Sequence, residues 1–151
     1  QHYPAAGLPD IDVNGVNVRV IIGEAYGRAS PVHAYSSTLY LECVMPEGSE
    51  LTLPDQYPEM GAYVVSGSVT IDNEAYGVGV MAVARANTAM TLRANAESRV
   101  MVIGGESLGK RHIYWNFVSS SKERIEQAKS DWRERRFGEI PGETEFIPLP
   151  D

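Results

Sequence analysis

The stretch GSELTLPDQYPEMGAYVVSG, residues 48–67, decides the fold. It opens on a Pro46-Glu47-Gly48 turn and enters a short alternating segment, 49–53, predicted as a strand. A corner at Pro54-Asp55-Gln56-Tyr57-Pro58 leads to the apolar run Ala62-Tyr63-Val64-Val65. Ser66-Gly67 then supplies a tight turn into the next strand, predicted at 68–71. Strand, corner, strand and glycine turn make the first half of a small double-sheet barrel.

The flanking sequence extends this pattern. Asn14-Gly15 is a turn signal followed by an alternating strand over 16–22, and 38–45 places Leu39, Leu41 and Cys43 on one face. The segment 23–35 between them reads as loop. Downstream, Val69 and Ile71 run into Asp72-Asn73, a hairpin signal, and then into 74–76. Strands are expected at 80–84, 90–93 and 99–103, with Asn87 marking a turn. Many short strands with closely spaced turns indicate an all-β sandwich or barrel, an architecture that leaves few exposed edges.

Spacing narrows the class. The stretch resembles the first motif of the cupin family: Gly, five residues, His-x-His, three or four residues, Glu, six residues, Gly. Gly48 and Gly67 fall in register, while the three ligand positions hold Pro54, Gln56 and Met60. The second motif, tested from Gly79, puts Arg85, Asn87, Met90 and Ala94 where Pro, Gly, His and Asn belong. A cupin metal needs imidazole and carboxylate donors converging in one cavity, and these side chains do not supply them. Gln56, Met60 and Met90 are expected to point into the cavity as the remnant of such a site, and a filled cavity is the default for a small barrel.

The end of the chain breaks the β pattern. Residues 111–118 (RHIYWNFV) form an aromatic, extended segment, and the serines at 119–121 open a helix, with Ser120 and Glu123 spaced as a capping box. Ile125, Ala128 and Trp132 recur at helical spacing, and Gly138 and Pro141 stop the helix. Phe146-Ile147-Pro148-Leu149-Pro150 is an apolar terminus that must lie against something. The chain is therefore divided into a lead-in or linker (1–14), a cupin-like double-stranded β-helix or jelly-roll barrel (15–118), one α-helix (119–137) and an extended tail (138–151).

The ending RHIYWNFVSSSKERIEQAKSDWRERRFGEIPGETEFIPLPD closely resembles the C-terminal end of the pirin family. The upstream order VRVIIGEAYG, SPV, STLYLE and YVVSGSVTIDNEAYGVG does so as well. Pirins are two-cupin proteins, and this chain is similar to the second cupin alone. The resemblance implies an iron held by histidines and a glutamate in the N-terminal cupin of the parent, and no cofactor in this chain. It also links members to quercetin 2,3-dioxygenase activity, and the animal protein to transcriptional co-regulation in the nucleus. The implied partner is the N-terminal cupin of the same parent. Tyr114, Trp115, Phe117, Trp132 and Phe146 are the expected docking surface, and without its partner an exposed apolar patch would promote a homodimer.

The totals limit the alternatives. At 151 residues, with 43% apolar and 22% charged residues, the chain has the length and composition of one soluble globular domain. A formal charge of −7 argues against direct nucleic-acid binding. Eight of thirteen Lys and Arg residues lie between Lys110 and Arg136, interleaved with acids, which reads as a solvated helix face. No apolar run reaches membrane-spanning length. The single Cys43 excludes an internal disulfide and points to a reducing, cytoplasmic setting, with the nucleus as the eukaryotic alternative. Beginning at Gln1 rather than Met, the chain reads as a piece of something longer.

Three histidines, His2, His33 and His112, match no metal spacing. The serines at 119–121 lack a nucleophile context and are better read as a helix cap. Three functions remain in view: a non-catalytic, metal-free half of a bicupin; a fragment with its own dioxygenase or small-ligand activity, which requires a metal; and a protein-interaction module using Arg133, Arg135 and Arg136.

Overall fold

The structure, a computed structural model, describes residues 2–85, 88–138 and 140–150. The chain divides into two compact units, residues 1–107 and 108–151. After a 3-10 turn at Ala5–Gly7, the first unit holds β1 (Asp10–Val13), β2 (Val16–Ile22), β3 (Glu24–Ala25), β4 (Arg28–Ala29), β5 (Thr38–Met45) and β6 (Glu50–Thr52). It continues with β7 (Glu59–Ser66), β8 (Ser68–Ile71), β9 (Glu74–Gly77), β10 (Met81–Val83), β11 (Thr91–Ala94) and β12 (Ser98–Gly105). The second unit holds β13 (His112–Tyr114), β14 (Phe117–Ser119) and α1 (Lys122–Arg133).

Two larger sheets and the small hairpin β3-β4 build the first unit. Six strands run in the order β1-β2-β5-β12-β7-β10, and four in the order β6-β11-β8-β9. Alternation in the sequence becomes alternation in burial: Leu39, Leu41, Cys43 and Met45 of β5 are fully buried while their neighbours are not. Val16, Val18, Val20, Val100 and Val102 of the larger sheet join Leu51, Val69 and Leu92 of the smaller in one core. Their β-branched side chains suit the pleated surface.

Two hairpins use left-handed turn residues. Asn14 and Gly15 have φ of 52° and 84°, and Asp72 and Asn73 have 51° and 66°, the mirror-type turn that matches strand twist. The passage from β7 to β8 carries the chain from one sheet to the other through Gly67. Its φ is +76°, and a Cβ there would lie 2.3 Å from Ser98 Oγ and 2.4 Å from the Glu97 carbonyl oxygen. Only glycine fits. Ser98, the buried polar side chain at this corner, accepts from the Ser68 N–H at 3.0 Å and donates to the Ala96 carbonyl at 2.7 Å.

Some boundaries differ from those expected. Residues 10–13, assigned to the lead-in, form β1, whose Asp10 pairs with Arg19 of β2. The supposed loop at 23–35 contains the small hairpin β3-β4. Residues 112–118, grouped with the barrel by sequence, form β13-β14 in the unit that also contains the helix. The helix is shorter than 119–137, and its cap is Ser121, one residue after the predicted Ser120. Ser121 Oγ accepts from the Arg124 N–H at 3.3 Å and donates to Glu123 at 2.6 Å. The turn expected at Asn87 lies outside the described residues. Among the described residues no helix is long and apolar enough to cross a membrane.

Candidate functional site

The corner after β6 holds two of the residues at the cupin ligand positions, Pro54 and Gln56. Leu53 and Tyr57 both turn into the core, so the intervening Gln56 faces out. The Tyr57 hydroxyl accepts from the Glu24 N–H and donates to the Glu24 carbonyl, both at 3.0 Å. Gln56 Nε2 donates to that same carbonyl at 3.0 Å. The expectation that Gln56 lines the cavity is thus corrected: its amide is taken up by the backbone of β3 at the surface.

The hairpin β3-β4 is pinned at a second point by the Tyr26 hydroxyl, which donates to the Thr52 carbonyl at 2.8 Å. Burial pushes this phenol's pKa upward, with the Cys43 thiol adding to it. Ala25 between the two pins is fully buried. Gly23, at the hairpin's entry, has a φ of +85°, and a Cβ there would come within 2.2 Å of the Thr38 carbonyl oxygen. The GEAYG string is therefore a fastening that holds one peptide segment against the barrel.

Met60 and Met90 do face inward, nearly fully buried within the same core as Tyr57, Leu53 and Leu92. A Cβ on Gly104 would lie 2.9 Å from Met60 Cγ, so the thioether already occupies the space beside that strand. Ala94, at the last motif position, is buried too. The inward groups are thioether, methyl and a phenol engaged with backbone. That donor set does not fit iron or any other ion held by imidazole and carboxylate. Among the described residues no group of three or more His, Cys, Asp or Glu converges. His2 and His33 are exposed, and His33 packs edge-on against Tyr35 at 4.7 Å.

Cys43 is inert in this setting. Burial, with Glu42 nearby, pushes its thiol up to about 12, so no thiolate is available near neutral pH. A shallow depression on the four-stranded sheet is lined by Glu47, Thr70, Arg93 and Asn95. Three of these side chains are engaged: the Thr70 hydroxyl donates to Asn95 Oδ1 at 3.0 Å, and Arg93 faces Glu50 at 3.8 Å.

The second unit gathers the five aromatic residues singled out in the sequence. Trp132 packs against Trp115 at 5.1 Å and Phe146 at 5.9 Å, and Phe117 stacks on Phe137 at 5.8 Å. Trp132 Nε1 donates to the Ile147 carbonyl at 2.8 Å, and the Tyr114 hydroxyl to the Pro150 carbonyl at 2.6 Å. Lys129 Nζ sits 4.4 Å over the Tyr114 ring. The apolar terminus thus finds its support on the helix and hairpin of its own unit. Phe137, inside the helix as predicted from sequence, lies beyond its end at Arg133, and its ring completes the cluster.

Two of the three arginines singled out at the helix end, Arg135 and Arg136, are committed locally as well. Arg136 pairs with Asp131 at 2.9 Å and with Glu134, and Arg135 lies 4.6 Å over the Phe146 ring. The serines at 119–121 serve the helix start, as expected.

Comparison with known proteins places this arrangement. The model of the pirin C-terminal cupin domain matches residues 40–138. A pirin-like protein of Caulobacter vibrioides is 42% identical over 99% of this chain and 52% of its own length. Pirin-1 of Arabidopsis thaliana is 26% identical over 87% of this chain and 49% of its length. A crystal structure of quercetin 2,3-dioxygenase from Acinetobacter baumannii superposes with a TM-score of 0.81 at 25% identity, over 93% of this chain and 51% of that one. This chain therefore spans about half the length of the relatives it matches, and the cupin fold read from Gly48 and Gly67 is present. The chain belongs to the pirin family, as its C-terminal cupin domain.

Proposed function

We propose that this domain is the metal-free, non-catalytic half of a two-cupin protein, and that it packs against and supports an iron-bearing N-terminal cupin. One observation carries the reading. The positions at which cupin ligands fall hold Met60 and Met90 inside a closed apolar core and Gln56 on the surface. Such a core stabilises by burial and offers nothing to a cation.

The relatives support the parent's implied chemistry, since the Acinetobacter protein is a quercetin 2,3-dioxygenase and matches over only half its length. The dioxygenase step then belongs to the other half. In the present half, the exposed rings of Trp115 and Phe146 are the surface offered to that partner.

Elemental analysis of the purified chain, after incubation with iron, nickel, copper or manganese and desalting, tests the reading. No stoichiometric metal is expected. One equivalent of any of these ions, bound through nitrogen or carboxylate, would overturn it and restore the fragment to the enzyme class.

A further inference from the structure

The last residues of the chain are held in a way that their own conformation explains. Proline fixes φ at about −65°, which applies to Pro148 and Pro150, and the residue before each, Ile147 and Leu149, is confined to extended backbone. Residues 147–150 are therefore a preformed stretch of polyproline II helix, which turns once in roughly three residues. Carbonyls one turn apart point the same way. Those of Ile147 and Pro150 are the two that accept, from Trp132 Nε1 at 2.8 Å and from the Tyr114 hydroxyl at 2.6 Å. A donor on the helix and a donor on the β13-β14 hairpin thus read one face of the segment. Phe146, just before it, stacks on Trp132 at 5.9 Å, and Arg135 lies 4.6 Å over its ring. Aromatic grooves recognise proline-bearing extended peptides in this manner.

Charge matches shape. Residues 110–136, which build the cleft, contain eight Lys or Arg and four Asp or Glu, whereas 137–151 contain four acids and no base. Glu143, Glu145 and Asp151 flank the apolar part of the segment on both sides. The segment is nevertheless lightly held. It belongs to no strand, Leu149 is half-buried, and Phe146, Ile147, Pro148 and Pro150 are exposed. Gly138 and Gly142 lie in the chain that leads to it, so the end can lift without unwinding the helix.

We propose that the cleft between α1 and the β13-β14 hairpin is a binding site for acidic-flanked Pro-x-Pro peptides of another protein, with the chain's own end as its resident ligand. The end states the chemistry that the site takes: an aromatic ring for Trp132 and Arg135, two carbonyls one turn apart for Trp132 and Tyr114, and acids for the basic surround. It keeps the cleft filled until a competing peptide enters. A second copy of this chain is the less suitable source, because its end is already held by its own cleft at an effective concentration on the order of millimolar. The proposal concerns the C-terminal unit alone and does not depend on the metal-free reading of the barrel.

Fluorescence anisotropy tests this in the 151-residue chain. The probe is a dye-labelled peptide of residues 143–151, ETEFIPLPD, and the cleft is freed by Phe146→Ser together with Pro148→Ser. The freed chain is expected to bind one equivalent of probe. The unsubstituted chain should bind it roughly 10-fold more weakly or worse, since its own end competes. Adding Trp132→Phe, which keeps a ring and removes the N–H, should weaken binding about 5-fold. A probe with alanine at both prolines should bind the freed chain less well by a similar factor, an arm that needs no change to the cleft. Circular dichroism checks that the variants keep the fold. No binding to the freed chain overturns the proposal and leaves the end as a fixed strap. Equal affinity for the proline-free probe, or for the Trp132→Phe chain, overturns it as well. Binding indifferent to added salt overturns the requirement for acidic flanks. Dimers of the unsubstituted chain that disappear with Phe146→Ser and Pro148→Ser overturn it in favour of ends exchanged between copies.

Discussion

The barrel and the C-terminal unit solve the burial problem in opposite ways. In the barrel, aliphatic side chains from two sheets vanish from solvent, and Leu39, Leu41, Val18 and Val102 are wholly enclosed. In the C-terminal unit the buried hydrophobic residue among the described residues is Ile125, while Trp115, Phe137 and Phe146 remain 36–46% exposed. The first is held by burial of apolar area, roughly 25 cal/mol per Å². The second is held by ring-edge contacts, two hydrogen bonds to chain carbonyls and a helix of only twelve residues, and an isolated helix of that length is marginal in water. The barrel thus draws its stability from an enclosed aliphatic core, and the C-terminal unit from contacts among half-exposed rings.

Truncation of the barrel core should therefore produce the largest loss. Leu41→Ala is expected to cost about 3–5 kcal/mol in chemical denaturation, because the cavity lies between strands that cannot collapse. Gly67→Ala comes next, at roughly 2–3 kcal/mol, since it combines a left-handed φ with a clash against backbone at Glu97. A denaturation midpoint unchanged by either substitution would break the picture of a self-sufficient barrel.

The other unit responds on a smaller scale and separately. Trp132→Ala removes the ring at the centre of the cluster and is expected to destabilise the helix by roughly 2 kcal/mol. Amide exchange should accelerate over 122–133 while the protected amides of β5 and β12 keep their rates. Loss of protection in both units together would show that the contrast drawn here is false. Ser121→Ala is expected to cost about 1 kcal/mol of helix stability, visible as faster exchange in the first turn.

Much of the barrel was legible because alternation reports burial directly. The strands at 16–22, 38–45 and 68–71 have the bounds read from the sequence. The sequence could not reveal that Gln56 faces out, because no periodicity survives in a corner with two prolines, and the inward side chain proved to be its neighbour Tyr57. The one-residue displacement of the helix cap has a similar origin: three successive serines are equivalent in sequence, and only backbone geometry selects Ser121. Strand β1 was missed because four residues between Pro9 and Asn14 carry too short a pattern. The apolar runs of β7 and β12 are legible as strands, yet whether their second face meets solvent or another layer is a tertiary property.

The smallest effect at neutral pH belongs to Cys43. Its folded-state pKa, raised to about 12 by burial, exceeds the ordinary value of 9.0, so the thiol favours the fold at low pH and that contribution is lost as pH rises above 9. The chain should lose about 1 kcal/mol by pH 10 from this group, and Cys43→Ala should flatten that part of the profile. Thiol reagents should label Cys43 only at the rate of unfolding. Rapid labelling of the native chain would show that the core opens locally.

The methionine-filled core also sets a one-way condition on the domain's history. Exchanging Met60 for glutamate or Met90 for histidine, one at a time, would place a lone ionisable group among aliphatic neighbours with no cation to compensate it, at a cost of several kcal/mol. A coordinating centre would repay that only when several donors arrived together and the Tyr57 fastening of β3 gave way. Every single-step ancestor or descendant on such a route is less stable than the present domain. The inside of this barrel is therefore closed to such change one residue at a time, and substitution is tolerated most readily on its outside.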